Sequence, residues 1–93
     1  MRYELQIQLR TSEGAVIRTL GLVERRGFRI ETIRLEEAQG DGQSMELLVS
    51  SERSGDLLKR QLERLHDVIW VALQRPAAQW VAQGGLRQMT GSN

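Results

Sequence analysis

The stretch YELQIQLR, Tyr3 to Arg10, sets Tyr3, Leu5, Ile7 and Leu9 on one side of an extended chain and Glu4, Gln6, Gln8 and Arg10 on the other. Strict alternation over that length describes a strand with one dry face and one wet face. A strand of this kind must be covered on one side only. That requirement constrains everything that follows it.

TSEG comes next, where Thr11 or Ser12 can cap a helix and Glu13 suits its positive end. From Glu13 to Arg26, Val16, Leu20 and Val23 recur at helical spacing with Ile17 beside them. Gly21 within that run marks either simple tolerance or the close approach of another backbone. Gly27, after Arg25 and Arg26, is a helix stop: glycine takes the left-handed conformation, and the arginines suit the negative end of the helix dipole. Beyond it, Ile33 and Leu35 alternate with Thr32, Arg34 and Glu36, while Phe28 and Ile30 are in the opposite phase, so the second strand is expected to begin near Glu31. The glycine-rich QGDGQ, Gln39 to Gln43, turns into a third strand, SMELLVS, with Met45, Leu47 and Val49 inward.

Ser51 or Ser54 can cap a second helix with Asp56 in its first turn and Leu57, Leu58, Leu62 and Leu65 as its apolar stripe. HDVIWVALQ is the fourth strand, with Ile69, Val71 and Leu73 on one face and Val68, Trp70 and Ala72 on the other. Pro76 ends it. Residues 1–75 therefore read as one domain, and residues 76–93 as a flexible tail with room for a short helical turn around 77–82. The order strand, helix, strand, strand, helix, strand predicts an α+β, ferredoxin-like βαββαβ sandwich: a four-stranded antiparallel sheet in spatial order 4-1-3-2 with both helices on one face. Gln6, Gln8, Arg34, Glu36 and Glu46 suit the uncovered face. The second strand falls at an edge, and an exposed edge in a chain of 93 residues invites a second copy. Thr32, Arg34 and Glu36 are the candidate residues of that dimer interface.

Arg26-Gly27-Phe28 superficially matches the start of an RNA-recognition strand. It lies instead on a helix-to-strand turn, no stacking aromatics follow, and the net charge is only +1, so nucleic-acid binding is set aside. With no cysteine and one histidine, His66, neither a disulfide framework nor a Cys/His metal cluster is available. No apolar run approaches the ~20 residues of a membrane span, and the N-terminus lacks a secretory apolar core, so the expectation is a cytoplasmic protein off the membrane. His66-Asp67 is read as a surface pair at a helix-to-strand corner, not as a catalytic dyad, because no nucleophile or oxyanion site accompanies it. GDGQS is not followed by the Lys-[Ser/Thr] helix start of a phosphate-binding loop. Trp70 should stand on the open face, either packed beneath the tail near Trp80 or free to anchor a partner.

The stretches EGAVIRTLGLVERRGFRIETIRL and LLKRQLERLHDVIWVALQ, in this order on this topology, resemble the ACT domain. More narrowly they are similar to the small regulatory subunit family of acetolactate synthase (acetohydroxyacid synthase), in its short, isozyme II-like form, over roughly Tyr3 to Gln74. The resemblance implies a non-catalytic chain that forms a homodimer and activates a catalytic large subunit in branched-chain amino-acid biosynthesis. Thiamine diphosphate, Mg²⁺ and FAD would belong to that large subunit and none to this chain. The alternative is a free-standing amino-acid-sensing ACT module serving another enzyme or regulator.

By the same resemblance, an amino-acid effector would lie against Thr11, Glu13, Gly14 and Ala15 in the loop after strand one, and against Phe28, Arg29 and Ile30 at the start of strand two. Valine-sensitive members carry asparagines where this chain has Thr11 and Arg29. An amide both donates and accepts, whereas arginine only donates and repels an ammonium group. The implied site is degenerate and the chain is expected to be insensitive to valine. Trp70 is the candidate contact with the catalytic subunit.

Overall fold

The computed structural model describes residues 1–37 and 42–74. The expectations for the tail after Gln74, including the helical turn and Trp80, lie outside the described residues, as does most of the glycine turn. Along the chain run β1 (Arg2–Leu9), α1 (Ala15–Arg25), β2 (Arg29–Glu37), β3 (Gln43–Ser50), α2 (Gly55–Glu63) and β4 (Val68–Gln74). The strands form one antiparallel sheet in the order β2-β3-β1-β4, the arrangement expected from the sequence.

The dry face of β1 is the centre of the core. Leu5, Ile7 and Leu9 are fully buried and share one cluster with Met45, Leu47 and Val49 of β3, Leu22 and Val23 of α1, and Leu58 and Leu62 of α2. Both helices thus cover the same side of the sheet. Truncating a residue such as Leu58 to alanine would remove packing worth about 2–5 kcal/mol. Tyr3 closes one end of the cluster, its ring tilted 56° to that of Phe28 at 6.2 Å between centroids. Gly55, the first residue of α2, makes room for this ring: a Cβ there would lie 2.7 Å from Tyr3 Cδ1.

The end of α1 follows the sequence closely. Gly27, at φ 89°, donates its N–H to Glu24 O, and Phe28 donates to Val23 O, the paired bonds of a Schellman turn with buried Phe28 against buried Val23. The start of α1 corrects the expected cap. Neither Thr11 nor Ser12 caps it; Gly14 holds the N-cap position at φ 81° without a side-chain bond, and Glu13 lies outside the helix. Ile17, expected beside the apolar stripe, is 77% exposed, while Ala15 and Thr19 take the inward positions. Thr19 satisfies its buried hydroxyl by donating to Ala15 O. Around Gly21 a Cβ would meet only the end of the Arg25 side chain among the described residues, so no backbone among them explains that glycine. In α2, Ser54 is the cap, accepting from Asp56 N.

Two bulges correct the strand readings. In β2 the pairing steps from Ile30↔Val49 to Thr32↔Leu48, leaving Glu31 unpaired. The strand therefore starts at Arg29, earlier than Glu31, and the extra residue lets Ile30 face the core in one phase and Ile33 and Leu35 in the other. In β4 the pairing steps from Leu9↔Val68 to Gln8↔Trp70, leaving Ile69 over. Val68 is consequently buried and Ile69 exposed, the reverse of the uninterrupted alternation expected there.

Candidate functional site

The loop from β1 to α1 is tied down at four points. Arg10 N donates to Asp67 O at 2.7 Å, and Arg10 Nε donates to His66 O at 2.9 Å. Thr11 Oγ1 accepts from Gly42 N at 2.6 Å. Ser12 Oγ donates to Asp67 Oδ1 at 2.9 Å. Arg18, one turn into α1, forks over the same carboxylate: Nε reaches Oδ2 at 2.7 Å and Nη2 reaches Oδ1 at 2.8 Å. Nη2 also donates to Glu13 O at 2.8 Å. The guanidinium lies across Gly14, where any Cβ would come within 2.7 Å of Nη1. A side chain at Gly14 would thus conflict with both the backbone angle and the arginine.

Asp67 is 5% exposed, which corrects its reading as half of a surface pair; His66 beside it is exposed. The hydrogen bonds from Arg18 and then Ser12 hold its carboxyl well below the usual carboxylate range, against the opposing effect of burial. Arg18, in turn, is raised by its hydrogen bond to Asp67. This three-residue tie escapes sequence reading because its members lie 49 and 55 residues apart.

The two groups of candidate effector residues do not meet within one chain. Leu9, which leads into Thr11, Glu13, Gly14 and Ala15, pairs with Gln43, which pairs with Glu37 at the far end of β2. Arg29 pairs with Ser50, which pairs with Arg2 at the opposite end of the sheet. Phe28 is buried in the core, Ile30 packs against it, and Arg29 is exposed.

β2 forms one edge of the sheet, with Thr32, Arg34 and Glu36 exposed on the open face. Ile33 and Leu35 point to the helix side, yet remain 45% and 43% exposed. Apolar side chains half uncovered along a free edge are a feature that alternation alone does not reveal. Ile17 stands at the same end of the molecule, in the first turn of α1.

On the open face, the cross-strand rows run Gln74–Glu4–Leu48–Thr32, Ala72–Gln6–Glu46–Arg34 and Trp70–Gln8–Ser44–Glu36. Trp70 is 46% exposed there, as its phase predicts. Arg34 pairs with Glu46 at 3.1 Å. A hollow between β1, β3 and β2 is lined by Glu4, Thr32, Arg34, Glu46, Leu47 and Leu48. The run Leu47-Leu48-Val49 is the sequence signal for it, since three apolar residues in a row must place one, Leu48, on the nominally wet face.

The four-stranded antiparallel sheet with two helices on one side is a ferredoxin-like fold, and residues 11–71 match the ACT domain family. The chain belongs to that family. It is 36% identical over 75 residues to the acetolactate synthase isozyme 2 small subunit of Escherichia coli K12, covering 78% of this chain and 85% of that protein. It is 33% identical over 73 residues to the acetolactate synthase small subunit of Buchnera aphidicola, covering 76% of this chain but only 46% of that longer relative. Among solved structures, the acetolactate synthase small subunit of Thermotoga maritima superposes with a TM-score of 0.71 at 21% identity, over 85% of this chain and 50% of that one. The ACT domain of a GTP pyrophosphokinase from Chlorobium tepidum gives 0.66 at 18% identity, over 80% and 97%. Among the described residues, no helix is long and apolar enough to cross a membrane.

Proposed function

We propose that this chain is an activating, non-catalytic small subunit of acetolactate synthase that works as a homodimer and does not respond to valine. Its likeness to the isozyme 2 small subunit along most of that protein's length carries the reading. The catalytic partner would hold thiamine diphosphate, Mg²⁺ and FAD and join two 2-oxo acids in branched-chain amino-acid biosynthesis. This chain would act by binding the active conformation of that partner more tightly than the inactive one; a tenfold shift in population needs about 1.4 kcal/mol of differential binding.

The free β2 edge and the half-exposed Ile33 and Leu35 support dimerisation through that strand into an eight-stranded sheet. Antiparallel pairing of two β2 strands about a twofold axis at Ile33 would set Arg29 of one copy beside Glu37 of the other. That is the end from which the loop at Thr11 to Ala15 departs, so the effector residues would converge only between protomers. Two features argue against valine in such a site. Thr11 already accepts the Gly42 N–H, and Arg29 brings a cation where an ammonium group would lie.

Reconstitution with the catalytic chain of an acetolactate synthase from the same genome tests the reading. Acetolactate formation should rise on adding the small subunit and stay unchanged by valine. Trp70→Ala should weaken the complex tenfold or more, as loss of an aromatic anchor costs roughly 2–4 kcal/mol. An unchanged rate, together with tight amino-acid binding by the isolated dimer, would identify a free-standing sensor instead.

A further inference from the structure

Glu4 is a carboxylate that the fold dries without satisfying. The residue is 6% exposed, yet among the described residues its side-chain carboxylate has no hydrogen bond or ion pair. Its neighbours explain why. Among the described residues, Arg34 is the cation that acts on it, but its Nη1 is committed to Glu46 Oε1 at 3.1 Å. Gln6 Nε2 points to the other Glu46 oxygen at 3.4 Å. Gln74, across on β4, carries no charge. Among the described residues, the hollow therefore contains two carboxylates and one guanidinium, which is paired with Glu46. Burial, and then the proximity of Glu46, raise the Glu4 carboxyl, with Arg34 opposing them.

We propose that this hollow is a receptor for one basic side chain, lysine or arginine, presented by a protein that docks on the open face of the sheet. A buried carboxylate without a partner is unfavourable, and an incoming ammonium or guanidinium group removes that penalty while supplying donors. Leu48, buried in the hollow, offers an apolar surface for the methylene stem of such a side chain. Thr32 adds a hydroxyl that can accept. An acidic ligand would meet Glu4 and Glu46 together. A free amino acid would bring a carboxylate for which no unpaired cation remains among the described residues of the hollow. The proposal rests on the docking role given above to the open face, and it assigns the chemistry of recognition at a place about 13 Å along β1 from the row of Trp70.

The test uses the full chain without any catalytic subunit, so its failure would leave the regulatory reading standing. The probe is N-acetyl-arginine N-methylamide, followed by NMR at the Glu4 side-chain carboxyl and the Thr32 and Leu48 amides. Saturable shifts are expected, with at least tenfold weaker binding by the uncharged citrulline analogue and by the Glu4→Gln variant. No saturable shift, or equal binding by Glu4→Gln, overturns the proposal. Displacement of the probe by free valine overturns it in favour of an amino-acid site. Arg75→Gln and Arg87→Gln variants should leave the Glu4 titration unchanged; a rise in its pKa in either one would mean that the chain's own arginine occupies the hollow, which also overturns it.

Discussion

Asp67 and Glu4 are both carboxylates withdrawn from water, at 5% and 6% exposure, and the fold treats them in opposite ways. Asp67 receives three hydrogen bonds, two from a guanidinium and one from a hydroxyl. Glu4 receives none among the described residues and sits near a second carboxylate. Their pKa values move apart accordingly: Asp67 falls below the ordinary carboxylate range, and Glu4 is raised from its ordinary value. Burial alone therefore says little about what a charge is for. A satisfied carboxylate has been spent on holding the chain together, whereas an unsatisfied one leaves interaction capacity for something outside.

Substituting the two groups should have effects of opposite sign, and the largest belongs to Asp67. Asp67→Asn keeps the shape but removes the charge that holds Arg18. Its melting temperature should fall by on the order of 5–10 °C, with faster amide exchange in the loop from Arg10 to Gly14. If the loop stays protected and the melting temperature holds, the corner is not the tie described here.

Acid titration sharpens the contrast. A carboxyl whose folded pKa is depressed contributes stability that is complete above its unfolded pKa of about 3.9 and is lost as pH falls through the folded value. Asp67 should thus steepen the loss of stability below about pH 4, and Asp67→Asn should flatten it. Glu4 has the reverse sign. Its folded pKa lies above its unfolded one, so stability declines as pH rises from the unfolded value through the folded value. Glu4→Gln should therefore raise the melting temperature at pH 7, by roughly 2–4 °C, with little gain near pH 3. A drop at pH 7 would mean that Glu4 is satisfied after all.

The smallest effect should come from an ion pair that is neither dry nor isolated. Lys59 and Glu63 meet at 2.7 Å on the exposed side of α2. Lys59→Ala should change stability by only a few tenths of a kcal/mol, and less at high salt. An effect as large as that of Asp67→Asn would break the link drawn between burial, satisfaction and stability.

The parts legible in the sequence are those governed by near neighbours. The alternation of Tyr3, Leu5, Ile7 and Leu9 defined β1 because strand periodicity is local. Gly27 marked the end of α1 because the left-handed turn and both of its closing bonds lie within five residues. The ACT resemblance added the candidate effector loop. Glu31 and Ile69 were not legible as bulges, since an extra residue is visible only against the strand that it fails to pair with. Likewise Thr11 or Ser12 reads as a helix cap, because a hydroxyl before a helix is a local signal, whereas the acceptor that Ser12 finds is 55 residues away.

The sequence by itself determined which residues alternate, where α1 stops, and hence a βαββαβ sandwich with one wet sheet face and β2 at its edge. Only the tertiary structure decided that Arg18 and Ser12 would close on Asp67, that Ile33 and Leu35 would stay half exposed, and that the Glu4 carboxylate would be dry but unpaired among the described residues. Periodicity tells which side of an element is apolar, whereas the fate of a charge depends on which distant side chains the topology brings within hydrogen-bond reach.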